Sequence, residues 1–138
     1  MKPNVEQALH ELRCGLPSHD VRTIEDSDGG AYVIVEAIDI GASYSPPVSW
    51  IGFHITWSYP DADVYPHFID AAVRYVGSGE TPNQHPDGNL PTAMGRGQMM
   101  PGFEIAAIQI SRKSNKRNAA TDTALHKLLR VIECLRGR

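Results

Sequence analysis

The sequence predicts an α+β domain, an antiparallel β-meander of about four strands flanked by an N-terminal and a C-terminal helix. Three observations predict it. Apolar residues recur at helical spacing near both ends of the chain. Between them, β-branched runs alternate with turn residues. The whole is 138 residues long, the size of one ordinary domain.

The N-terminal helix comes first. Asn4 followed by Gln7 has capping-box spacing, and Val5, Ala8, Leu9, Leu12 and Leu16 then fall on one helical face. Gly15 and Pro17 stop it. Residues 21–25 read as a short strand, and Asp26-Ser27-Asp28-Gly29-Gly30 as a tight turn. Residues 31–40 read as a long β-branched strand. In residues 50–57, Ile51, Phe53, Ile55 and Trp57 point one way, while Trp50, Gly52, His54 and Thr56 point the other. One face should meet a helix and the other be at least partly wet. Two Tyr-Pro pairs, Tyr59-Pro60 and Tyr65-Pro66, mark a shaped loop over 58–67, because proline removes a ladder donor. Residues 69–76 read as a further strand.

Residues 77–102 differ in kind. These 26 residues hold six glycines and four prolines and read as one long loop of the single domain spanning 1–138. Residues 103–111 follow as a short strand or packed extended segment. The last helix begins at Thr121 or Asp122 and carries Leu125, Leu128, Leu129, Ile132 and Leu135 as its apolar stripe. Burying those five side chains contributes roughly 1.5–3 kcal/mol each before the entropy cost.

Composition narrows the function classes. An apolar fraction of 41% and a charged fraction of 21% fit a globular chain. No run approaches the roughly 20 apolar residues of a membrane span, and the start lacks the basic and apolar regions of a secretory signal. A cytoplasmic location is expected. Cys14 and Cys134 form no disulfide framework and read as small packing residues. The charge is asymmetric, with 13 acids and 4 bases over residues 1–89 against 3 acids and 9 bases over 90–138. Arg112, Lys113, Lys116 and Arg117 concentrate the basic part and could steer an acidic partner. No aromatics interleave with them, so nucleic acid is the less favoured partner. No phosphate loop, metal-ligand spacing or Gly-x-Ser-x-Gly elbow occurs, so no cofactor or metal is expected. His54, His67 and His85 have no spacing that requires them to meet.

The order of parts is the informative feature: helix, meander, Tyr-Pro loop, strand, His-Pro turn, long crossing segment, helix. Trp50-Ile51-Gly52-Phe53-His54-Ile55-Thr56-Trp57 looks like the third strand of the ubiquitin-conjugating enzyme superfamily. Ser58-Tyr59-Pro60-Asp61-Ala62-Asp63-Val64-Tyr65-Pro66 looks like the proline-bearing loop after it, without that family's Pro-Pro pair. His85-Pro86-Asp87 resembles its His-Pro-Asn turn, with Asn89 close by, and 122–135 its helix after the active site. The chain therefore resembles that superfamily over most of its length. The likeness runs to divergent bacterial members, which accompany an activating enzyme, a ubiquitin-like protein and a peptidase.

The resemblance implies a cysteine about eight residues after the turn, and none is there. Residues 90–96 hold no thiol, nor do residues 108–111, where the position would slide if the long loop is an insertion. Asp87 stands where an oxyanion-stabilising asparagine amide would be, and a carboxylate would repel that charge. The expected function is accordingly a non-catalytic conjugating-enzyme-like module that binds an activating-enzyme-like or ubiquitin-like partner, with Tyr59 and Tyr65 as exposed contact residues. One alternative is an acyl carrier forming an oxyester through Ser111 with His85 as base. Another is nucleic-acid binding through residues 112–117.

Overall fold

Residues 1–82, 84, 85, 88, 89, 98–110 and 118–137 are described in this computed structural model. Helix α1 spans Pro3–Gly15 and helix α2 spans Ala124–Arg136. Between them lie β1 (Val21–Glu25), β2 (Ala31–Asp39), β3 (Tyr44–Ser45), β4 (Val48–Ile55), β5 (Phe68–Asp70), β6 (Arg74–Tyr75), β7 (Gln84–His85), β8 (Gly88–Asn89), β9 (Gln98–Met100) and β10 (Ile105–Gln109). The main sheet is antiparallel in the order β1-β2-β4-β5-β10-β9. Its first four strands are the expected meander; β10 and β9 extend it. No helix among the described residues is long and apolar enough to cross a membrane.

One face of the sheet carries the principal core. Val33, Val35, Ile51, Phe53, Ile55, Ile69 and Ile108 share it with Val5, Ala8, Leu9 and Leu12 of α1 and Leu128, Val131 and Leu135 of α2. The odd-numbered residues of β2 point there as far as Val35. Beyond it, Ile38 and Ile40 do so instead. A bulge switches the parity: Val35 pairs with Ile51 and Ile38 with Ser49, so β2 carries one extra residue, and Ala37 takes φ 58° to accommodate it.

The other face is drier than alternation suggested. Ile34, Phe68, Met100 and Ala107 form a second buried cluster under Tyr32, Trp50, Phe103 and Ile105. The segment between β9 and β10 folds across it. Gly102, at φ +79°, lies so close on the Tyr32 ring that a Cβ there would overlap it.

Several elements differ from expectation for local reasons. Helix α1 starts two residues early, because Pro3 at its first turn needs no N–H partner; Lys2, not Asn4, is the cap residue and makes no side-chain cap bond. Thr123 caps α2 by accepting from the His126 amide at 3.1 Å, whereas Asp122 accepts from the Asn118 amide at 2.7 Å. The buried line on α2 is Ala124, Leu128, Val131 and Leu135, with Lys127 beside it; Leu129 is exposed. Trp57 is also exposed, because the strand has ended by that point.

The strand expected over 69–76 is two. The Asp70 carboxylate accepts from the Ala72 amide at 3.0 Å and turns the chain, so β6 leaves the main sheet and pairs with β3. The segment read as one long loop contains β9 and the β7–β8 pair, in which His85 is opposite Gly88.

Candidate functional site

The loop that leaves β4 and returns as β5 is held on two sides. On the α2 side, Tyr59 is only 7% exposed, and its hydroxyl accepts from the Ala124 amide at 3.0 Å. That amide is one of the N–H groups a helix start leaves unpaired. Next to it, Lys127 Nζ donates to Asp63 Oδ2 at 3.0 Å, with both side chains buried. Asp63 also turns the loop locally, its Oδ1 accepting from the Val64 amide at 2.8 Å. His67, fully buried, packs its ring 5.1 Å from that of Phe53, and its carbonyl accepts from the Ile110 amide at 2.9 Å.

On the other side, the end of β4 is fastened to the turn between β1 and β2. His54 Nε2 lies 2.6 Å from Asp26 Oδ2, and the imidazole stacks on Tyr32 with centroids 4.2 Å apart. Asp26 Oδ1 accepts from the amides of Asp28 and Gly30, each at 2.8 Å. Burial by itself raises the carboxyl's pKa, but the hydrogen bonds from His54, Asp28 and Gly30 together outweigh it and hold Asp26 below its ordinary value. Gly30 is required here, since a Cβ would collide with the Ile55 carbonyl and with the Asp26 carboxylate. Just beyond β4, the Thr56 and Ser58 hydroxyls lie 3.1 Å apart.

Between these fixed points the loop turns two large aromatics outward. Trp57 is 58% exposed and Tyr65 is 42% exposed. Such side chains lose little rotamer freedom on contact and suit a protein interface. Both Tyr-Pro bonds of the loop are cis. Of the two tyrosines read as contact residues, Tyr65 is presented to solvent. Tyr59 is not, because its hydroxyl is needed inside the fold to satisfy the helix. Trp57 was missed; its place at the end of an alternating run made it look like a core residue. The His54–Asp26 pair was missed too, since 28 residues separate the partners and only the strand register brings them together.

The remaining sequence candidates divide simply. Ser111, Arg112, Lys113, Lys116, Arg117, Pro86 and Asp87 lie outside the described residues. His85 lies in β7 and Asn89 in β8. Cys14 and Cys134 are free thiols on the terminal helices, Cys14 exposed and Cys134 half-buried. The reading of Cys14 as a buried packing residue is therefore corrected: it falls on the wet side of α1, with its Sγ 3.5 Å from His10 Nε2. A crevice of about 280 Å³ on the outer side of α2 is lined by Asp122, His126, Leu129, Arg130 and Glu133. Among the described residues, no group of three or more His, Cys, Asp or Glu side chains could hold a metal ion.

No protein-family model matches the chain, and no curated protein or solved structure matches it either.

Proposed function

We propose that this chain is a non-catalytic, ubiquitin-conjugating-like binding module that recognises an activating-enzyme-like or ubiquitin-like protein through the loop after β4. The observation that carries the reading is the pairing of exposed Trp57 and Tyr65 with a loop base tied to α2 by Tyr59 and Lys127 and linked to the β1–β2 turn by His54 and Asp26. A pre-ordered aromatic surface binds without first losing loop entropy. The element order supports the conjugating-type reading: a helix, four antiparallel strands that neighbour one another in chain order, and a closing helix. The positions of the thiols support the non-catalytic part, since both lie on the terminal helices, Cys14 ahead of the β7–β8 pair and Cys134 far beyond it, and neither stands shortly after the His-Pro turn. Acyl transfer of this type depends on a thiolate, which forms at neutral pH far more readily than an alkoxide.

The test is incubation with the ubiquitin-like protein and activating enzyme of the same genome, with ATP. A non-covalent complex without an adduct on this chain is the expected result. An adduct that hydroxylamine or alkali removes would overturn the non-catalytic part, and Ser111→Ala with Cys14→Ser and Cys134→Ser would locate it.

A further inference from the structure

The first strand offers an open edge whose hydrogen-bonding phase and side chains are self-complementary. In the β1–β2 pair, the Asp26 amide donates to the Gly30 carbonyl at 3.1 Å and the Glu36 amide to the Asp20 carbonyl at 2.9 Å. Bonded pairs recur every second residue in an antiparallel ladder. Arg22 and Ile24 therefore bond inward, opposite Ile34 and Tyr32. The amides and carbonyls of Val21, Thr23 and Glu25 point away from the sheet. No described residue bonds to the main chain of Thr23 or Glu25. Among the described residues, the Val21 carbonyl has only the Arg13 guanidinium, at a long 3.4 Å.

Edges are normally protected by proline, bulges or inward charges. Neither proline nor a bulge interrupts β1. The charge of Arg22 is neutralised by Glu36 at 2.9 Å, and the guanidinium also lies over the Phe103 ring. Ile24 is 41% exposed on that same face.

We propose that β1 pairs antiparallel with β1 of a second copy of this chain, about a two-fold axis through Thr23, joining two sheets into one. This inference does not rest on the partner-binding reading. Antiparallel pairing centred on Thr23 places Val21 opposite Glu25 of the second copy, and Thr23 opposite Thr23. These are the residues whose main-chain groups face outward, so about six new backbone bonds form in phase. The side chains agree with that register. Val21, Thr23 and Glu25 share the helix-bearing face, and Arg13 of α1 reaches the edge at Val21. The Glu25 carboxylate, exposed although one of its oxygens lies 3.1 Å from the N-terminal ammonium of its own chain, is thereby brought beside Arg13 of the other copy, once on each side of the axis. On the opposite face, Ile24 meets the aliphatic stem of Arg22 of the second copy. A two-fold interface requires such reciprocity.

Sedimentation equilibrium across micromolar concentrations tests this. The wild-type chain is expected to dimerise. Thr23→Pro removes an outward amide and leaves the β1–β2 ladder intact, so it should raise the dissociation constant by about tenfold or more with an unchanged circular dichroism spectrum. Should that variant fail to fold, charge reversal decides. Arg13→Glu and Glu25→Arg each weaken the dimer, and the two together restore it. A wild-type chain that stays monomeric overturns the proposal, even if it accepts an added strand peptide. So does a dimer that neither Thr23→Pro nor the charge reversals weaken.

Discussion

Lys127 and Asp63 meet at 3.0 Å with both side chains buried, joining the first turn of α2 to the loop that presents Trp57 and Tyr65. A buried ion pair costs much of its attraction in desolvation, so its removal as a pair is mild, whereas removal of one partner leaves a charge stranded. Lys127→Met should therefore destabilise the fold by about 3–5 kcal/mol. Adding Asp63→Leu should recover much of that loss. Urea unfolding of the two single variants and the double variant measures the coupling.

Tyr59 acts through its hydroxyl. Tyr59→Phe keeps the ring and leaves the Ala124 amide without its acceptor, so a loss of about 1–3 kcal/mol is expected. Hydrogen exchange should show the first turn of α2 opening more readily than its last turn in this variant.

The Asp26–His54 contact makes the stability depend on acid. The Asp26 carboxyl is held below its ordinary value of 3.8. A carboxylate with a depressed folded pKa stabilises fully above its unfolded value, and that contribution disappears as pH falls through the folded value. The urea midpoint should thus decline as pH drops from about 5 towards and below that depressed pKa. Asp26→Asn should have a lower midpoint at neutral pH and a shallower acid slope. Equal slopes for the two proteins would show that other carboxylates dominate.

Much of the fold is legible in the sequence because burial imposes a period. The span of β1 follows from its β-branched residues and turn signals, and both helices follow from their spacing. The misplacements have physical causes. Val131 and Leu129 both lie on broad apolar flanks of α2, and only contact with the sheet decides which is buried. The parity switch in β2 depends on a bulge at Ala37, which an alternating pattern does not announce. Strand β5 ends at Asp70 because its side chain captures the amide two residues on, that of Ala72, a bond that leaves no periodic trace.

The candidate site was legible in part. The Tyr-Pro pairs mark the loop, and Tyr65 faces solvent. The ties that fix it were not, because they join residues far apart in the chain, as Tyr59 to Ala124, Asp63 to Lys127 and Asp26 to His54 do. An aromatic followed by proline reads equally well as anchor or as contact. Tyr59 is the anchor because a helix start lies within reach of its hydroxyl.

The most direct measurement is calorimetric titration of the ubiquitin-like and activating-enzyme proteins of the same genome into the wild-type chain and into Trp57→Ala/Tyr65→Ala. Both side chains are exposed, so the double variant should keep its unfolding midpoint, each substitution changing stability by no more than about 0.5 kcal/mol. It should lose binding by about tenfold or more. Equal affinity of the two chains, or no binding by the wild type, would contradict a recognition role for the loop after β4.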